Sequence, residues 1–239
     1  GVDDEKFEIV LKAAKKKQGV EDDSELNVDS LKKIVTKYKK ICKNHTKRKF
    51  PTSPNEQLQL AIEAVFKSWR GERAIIYREK NNITMDIANG TAVNVQTMVF
   101  GNMGNDSATG VVFTRNVKNG TKQLYGEYLT NAQGEDVVAG IRTGKKILKL
   151  QNEMPELYNE LDRVCKKLET SMKEVQDIEF TIEQGKFWLL QKRTAKMSGY
   201  AWVKTSVDLV KEKLINKNNA LARIPAKQLA ELLHPIINQ

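Results

Sequence analysis

The chain has 239 residues, enough for one large domain or two small ones with a buried core. Lys and Arg number 40 against 30 Asp and Glu, a formal net charge of +10, and 40% hydrophobic residues exclude a disordered or low-complexity chain. No uncharged apolar run approaches the roughly 20 residues of a membrane span, so no membrane partner is expected.

Cys42 and Cys165 stand far apart without a CxxC partner, which excludes a disulfide framework or a four-ligand zinc site and points to a reducing compartment, expected to be the cytoplasm or an organelle. Two histidines, His45 and His234, are too few for a histidine-built metal site. The chain opens Gly1-Val2-Asp3-Asp4, with no start Met, basic n-region or apolar h-region. It reads as a piece of something longer, with any targeting signal outside it.

In chain order, Phe7, Val10, Leu11 and Ala14 form a helical stripe that stops near Gly19. An acidic turn (Glu21, Asp22, Asp23, Glu25) leads to a second helix that begins after Asn27. Its apolar positions, Leu31, Ile34, Val35, Tyr38, Ile41 and Cys42, separate from Lys32, Lys33, Lys37, Lys39, Lys40 and Lys43. That pattern suits the solvated back of a packed helix or a polyanion-binding face; poor aromatic interleaving leaves nucleic acid out of the expected partners. Ser53-Pro54-Asn55-Glu56 has the form of a capped helix start, and Leu58, Ile62, Val65 and Trp69 are expected to be its buried stripe, interrupted at Gly71.

From Thr91 the pattern turns to strands. Thr91–Phe100 reads as a buried strand, followed by a glycine-rich loop over Gly101–Thr109, a strand over Gly110–Arg115, a turn at Asn116–Gly120 and a third strand over Thr121–Leu129. Pro155–Met172 is a helix whose Leu157, Leu161, Val164 and Leu168 face the core. Short strands over Val175–Ile182 and Phe187–Arg193 follow, then a helix carrying Val203, Val207, Val210 and Leu214 and a last one from Pro225 to Leu233. Helices flanking an antiparallel sheet make the class α+β.

The carboxylates concentrate in the Val175–Arg193 stretch. Alternation sends Ile178, Phe180 and Ile182 to the core and Asp177, Glu179 and Thr181 to the other face. Two carboxylates two residues apart repel unless a cation sits between them, and hard oxygens at this spacing suit Mg²⁺. On the next strand Phe187, Leu189, Gln191 and Arg193 alternate with Trp188, Leu190 and Lys192; Gln191 offers a neutral oxygen and Arg193 a bidentate fork for phosphate. Register decides the matter. A three-residue turn at Gln184–Lys186 pairs Glu179 with Gln191 and Asp177 with Arg193, whereas a two-residue turn pairs Asp177 with Lys192 and splits the group. A hairpin with a solvated polar face fits the same alternation.

The loop Gly101–Gly110 lacks the ending of a P-loop and does not open a helix, so Walker and Rossmann readings do not apply. Its backbone N–H groups, with Ser107 and Thr109, suit a triphosphate; an ordinary long strand connection suits the same residues.

Together GTAVNVQTMVFGNMG (Gly90–Gly104), GVVFTRN (Gly110–Asn116), LYGEYLTNAQGEDVVAGIRT (Leu124–Thr143), QDIEFTIEQGKFWLLQKR (Gln176–Arg193) and LARIPAKQLAELLHP (Leu221–Pro235) resemble the later part of the ATP-binding domain of the pyruvate, phosphate dikinase family. The helical pattern of the first fifty residues, ending around Pro51, reads as a subdomain over 1–52, and the resemblance implies a partial ATP-grasp fold with a nucleotide-binding region over 53–239. It implies ATP, inorganic phosphate and Mg²⁺, a histidine on a separate phosphohistidine domain as acceptor, a barrel that binds phosphoenolpyruvate or pyruvate, and a homodimeric whole enzyme. Position by position, Glu179 and Gln191 match the metal ligands, and Asp177 and Arg193 the catalytic polar groups around the phosphates. Gln96, Met98 and Val99 match residues beside adenine. Gly101, Gly104, Ser107, Thr109 and Gly110 match the phosphate loop, and Glu127, Glu135 and Arg142 match charged positions of less defined role. The family loop carries Gly where Ala108 stands here, which is expected to stiffen it. The family's nucleotide-binding Lys and Arg belong to a first lobe expected upstream of Gly1, so this stretch alone is expected to be inactive. His234 is a poor candidate for the phosphohistidine. A pyruvate, water dikinase or a catalytically degenerate module of the same fold are the alternatives.

Overall fold

A computed structural model describes residues 2–138 and 143–232, so Arg142 and His234 lie outside the described residues. Contacts divide the chain into two compact units, Gly1–Gln96 and Thr97–Gln239. The residues from Pro51 to Gln96 fall in the first of these units.

In the first unit α1 (Glu5–Gln18) and α2 (Val28–Thr46) form a helical hairpin. The Asn27 side chain caps α2 by accepting from the Ser30 N–H at 2.9 Å. Phe7 and Tyr38 meet edge-on at 4.9 Å, and the Tyr38 hydroxyl donates to the Phe7 carbonyl, fixing α1 on the apolar face of α2. Helix α3 (Pro54–Ser68) begins at the expected proline, but the Ser53 side chain makes no capping bond. No residue of α3 or of α4 (Glu72–Lys80) is buried; Ile62 and Trp69 are half-buried while Leu58 and Val65 stay 42% and 40% exposed, so the expected buried stripe is only partly covered among the described residues. Periodicity says which residues share a face, not whether another element covers it. Thr91–Phe100 is likewise not a strand: Val95 and Met98 are each 64% exposed. β-branched residues favour a pleat only where a neighbouring strand completes the ladder, and none does among the described residues.

The second unit is built on a five-stranded antiparallel sheet. Its strands are β1 (Ala108–Phe113) and β2 (Tyr125–Thr130), then, after the short α5 (Gly134–Val138), β3 (Lys145–Lys146). Helices α6 (Leu150–Glu153) and α7 (Pro155–Met172) precede the hairpin of β4 (Gln176–Glu183) and β5 (Lys186–Thr194). The order across the sheet is β3-β2-β1-β4-β5. Both β1 and β2 run differently from expectation. β1 starts and ends two residues early, and β2 begins only at Tyr125 because the Asn116–Gly120 turn and the residues after it form a hydrogen-bonded connection.

Alternation gives the sheet two distinct faces. Val112, Tyr128, Ile178, Phe180 and Ile182 are fully buried with Leu161 and Cys165 of α7; each such large side chain contributes about 1.5–3 kcal/mol of burial. Ala108, the family-divergent position, is a buried strand residue in this same core. Helices α8 (Gly199–Lys211), α9 (Lys217–Arg223) and α10 (Ala226–Glu231) close the described chain. Ser198 caps α8, accepting from the Ala201 N–H.

Candidate functional site

The β4–β5 hairpin resolves the register question in an unexpected way. The turn is the two-residue kind: Glu183 pairs with Lys186 across Gln184 and Gly185, both left-handed at φ 49° and 74°. Continued regularly, that turn would place Lys192 opposite Asp177. Instead the register shifts by one between Glu179 and Phe180, so that Phe180 faces Leu189 while Glu179 faces Gln191 and Asp177 faces Arg193. Leu190 is the extra residue of a β-bulge. The bulge divides the odd positions of β5: Phe187 and Leu189 share the core face with Phe180, and Gln191 and Arg193 lie on the carboxylate face. The Leu189-Leu190 doublet is the sequence signal for it, since only one of two adjacent leucines on a regular strand can face the core.

On this polar face β4 presents Asp177, Glu179, Thr181 and Glu183 in line. The Arg193 Nε donates to Asp177 Oδ2 at 2.7 Å, and its Nη2 lies 3.7 Å from Glu179 Oε1. The hydrogen bond to Asp177 raises the pKa of the guanidinium above its usual value. Arg193 is 58% exposed in its side chain, whereas Asp177 is buried with Oδ1 lacking a hydrogen-bond partner. One row across the sheet reads Lys146, Glu127, Val111, Glu179 and Gln191. Glu127 is therefore two strands from Glu179 on the same face, about 10 Å at the usual strand spacing.

The glycine-rich loop crosses the opposite end of β1 from the Asp177–Arg193 pair. Gly101 is buried and accepts from the Ala132 N–H at 2.9 Å; a Cβ there would sit 2.4 Å from the Ala132 carbonyl oxygen, so only glycine fits. The Gly104 N–H donates to Asn131 Oδ1. The Ser107 and Thr109 hydroxyls, expected to face phosphate, are buried and engaged: Ser107 Oγ accepts from the Gln184 N–H at 2.9 Å, and Thr109 Oγ1 contacts the Phe180 carbonyl and the Thr181 hydroxyl. Gly110 lies within β1, where a Cβ would meet the Phe180 ring at 2.7 Å. The loop's exposed residues are Asn102, Met103, Asn105 and Asp106. Gln96 ends the first unit, while Met98 and Val99 lie in the second, in irregular chain before the loop. Glu135 is exposed in α5.

Among the described residues no three His, Cys, Asp or Glu side chains converge as a metal cage. Mg²⁺ does not need one, since it takes one or two carboxylates and completes its shell with water and phosphate oxygens. The facing carboxylate and amide of Glu179 and Gln191, beside the unpartnered Asp177 Oδ1, form a donor set of that kind.

Sequence reasoning missed a second ionic cluster. Arg115, fully buried just beyond β1, bonds Glu169 of α7 through Nε and Nη2 at 3.0 and 2.7 Å, and Glu212 after α8 through Nη2 at 2.9 Å. The Thr114 hydroxyl donates to Glu169 at 2.7 Å, and Lys122 and Lys204 pair with Glu212 and Asp208. It ties α7 and α8 to the sheet.

The family model described as pyruvate phosphate dikinase, AMP/ATP-binding domain matches residues 18–158 and 149–214. Pyruvate, phosphate dikinase 1, chloroplastic, of Oryza sativa subsp. japonica is 51% identical over 229 residues, covering 96% of this chain and 24% of that protein. The pyruvate, phosphate dikinase of Clostridium symbiosum is 48% identical over 233 residues, covering 97% and 26%. Pyruvate, phosphate dikinase 1, chloroplastic, of Arabidopsis thaliana is 48% identical over 235 residues, covering 98% and 24%. The chain thus spans about a quarter of the length of these relatives. With the family model running through both units, the chain belongs to the pyruvate phosphate dikinase AMP/ATP-binding domain family.

Proposed function

We propose that this chain forms part of the ATP-binding domain of a pyruvate, phosphate dikinase, and that the polar face of its sheet holds the phosphates of ATP while a phosphoryl group passes to a histidine on a separate domain. The observation that carries the reading is the pairing of Asp177 with Arg193 and Glu179 with Gln191 on one face. Phosphoryl transfer needs positioning and charge neutralisation more than a protein nucleophile. Arg193 supplies an exposed guanidinium whose remaining N–H groups can take phosphate oxygens while Nε stays on Asp177. Glu179 and Gln191 would hold Mg²⁺, which when bound neutralises phosphate charge, and Asp177 keeps Arg193 aimed across the face. The exposed 102–106 stretch would lie over the phosphates, with Met98 and Val99 toward the base. Inorganic phosphate as co-substrate, a phosphoenolpyruvate- or pyruvate-binding partner domain, pairing of two copies and a cytoplasmic or organellar location belong to the same proposal. No helix among the described residues is long and apolar enough to cross a membrane.

The test is titration of a fluorescent ATP analogue, with and without Mg²⁺, into protein that carries this chain with the first nucleotide-binding lobe. Glu179→Ala is expected to weaken the Mg²⁺-dependent part of binding by about tenfold or more, one charge-assisted contact being worth roughly that. Equal Mg²⁺-dependent binding in both proteins would overturn the metal assignment. Turnover that does not require inorganic phosphate would move the reading to a pyruvate, water dikinase.

A further inference from the structure

The polar face of β4 ends in a third carboxylate, Glu183, that the metal and phosphate roles do not use. Its Oε1 accepts the Phe100 N–H at 2.7 Å, immediately before the glycine-rich loop begins. The same turn holds the other end of the loop: the Gly185 N–H donates to the Asp106 carbonyl at 2.9 Å, and the Gln184 N–H to Ser107 Oγ at 2.9 Å. Both stems of the loop are therefore fastened to three consecutive residues, 183–185. On the far side the loop is held by Asn131 and Ala132, through bonds to Ser107, Gly104 and Gly101.

We propose that Glu183 is a positioning residue that sets the distance between the glycine-rich loop and the Asp177–Glu179 pair. The proposal rests on the reading that the loop and the carboxylates serve one nucleotide. Asp177, Glu179 and Glu183 stand on one strand: β1 pairs with it from Asp177 to Ile182, and β5 pairs with it through to Glu183 opposite Lys186. Glu179 and Glu183 are four residues apart, about 14 Å at the rise of an antiparallel strand. The bulge adds its extra residue to β5 and leaves β4 in unbroken register with β1 from Asp177 to Ile182, so β4 acts as a ruler between the place that grips the loop and the place that grips the ion and phosphates. A charged acceptor suits the task, because a carboxylate–amide bond is shorter and stronger than a neutral one. Ser107 serves the ruler from the other stem and not as a phosphate ligand.

The experiment compares wild type, Glu183→Ala and Glu183→Gln in protein carrying the first lobe and the histidine domain, by KM for ATP, by the Mg²⁺ concentration giving half-maximal rate, and by limited proteolysis within 102–106. Glu183→Ala is expected to raise KM for ATP about tenfold and to speed loop cleavage, with the Mg²⁺ requirement unchanged. Glu183→Gln keeps an acceptor oxygen and is expected to restore most of both. A KM within twofold of wild type for Glu183→Ala, or a Gln variant no better than Ala, would overturn the proposal. Glu179→Ala run alongside separates the two levels. If it too leaves Mg²⁺-dependent ATP use intact, the nucleotide-site reading fails; if only Glu183→Ala is silent, the ruler alone fails.

Discussion

Two arginines in the second unit, Arg193 and Arg115, grip carboxylates by similar hydrogen bonds and do different work. Arg193 holds Asp177 at 2.7 Å from an edge strand, with more than half of its side chain in water. Arg115 holds Glu169 at 2.7 Å with none of its surface exposed. Solvent and other anions reach the exposed guanidinium although Asp177 is buried beneath it, so the N–H groups of Arg193 that Asp177 does not hold are free for another anion. A buried guanidinium has no such alternative, and removing it strands the carboxylates around it. Burial, not bond length, separates a residue that can take part in chemistry from one that can only hold the fold.

The sharpest way to break this comparison is Arg115→Leu, which leaves Glu169 and Glu212 without their shared cation. It is expected to destabilise the protein by about 3–5 kcal/mol in denaturant-induced unfolding; a loss under ~1 kcal/mol would place the two arginines in one class. Arg193→Ala is the counterpart. Phosphoryl transfer in protein carrying the remaining domains is expected to fall about 10²–10³-fold, the range for removing one group that stabilises developing charge, while the loss of unfolding stability stays smaller than that of Arg115→Leu, since a single buried carboxylate is left without its cation. The smallest effect is in the pH dependence. Burial alone would raise the pKa of Glu212, but hydrogen bonds from Arg115 and Lys122 outweigh it and hold the carboxyl below its usual 4.5. A carboxyl depressed in the folded state stabilises the protein above its unfolded value, and that stability is lost as pH falls through the folded value. Thermal unfolding followed downward from pH 5 should show the loss in wild type and less of it in Glu212→Gln.

How much of this was legible in the sequence depended on what lay beside each element. Helix α7 has the bounds its leucine spacing and Pro155 predict, and Ile178, Phe180 and Ile182 reach the core because α7 covers that face. Leu58 and Val65 had equally good spacing and remain exposed, since periodicity carries no information about a neighbour. The hairpin shows the subtler limit. Turn length alone does not settle which residues face which: the turn is the short one and the pairs are those of the long one. A bulge in mid-strand is a local defect in alternation, announced only by Leu189-Leu190. Arg115 was hidden for a different reason: its carboxylates come from Glu169 and Glu212, more than fifty positions away along the chain.

The spare residue at Leu190 has a consequence for how this part of the chain can change in length. Shortening a strand by one residue ordinarily turns everything beyond the cut inside out. Here, excising Leu190 would join Leu189 directly to Gln191 and leave every remaining facing pair as it is, from Lys186 opposite Glu183 to Arg193 opposite Asp177. Excising Lys192 instead would carry Arg193 toward Ile178 and the apolar side. The hairpin thus has one place where its gene can lose a codon without exchanging neighbours, and it adjoins Gln191.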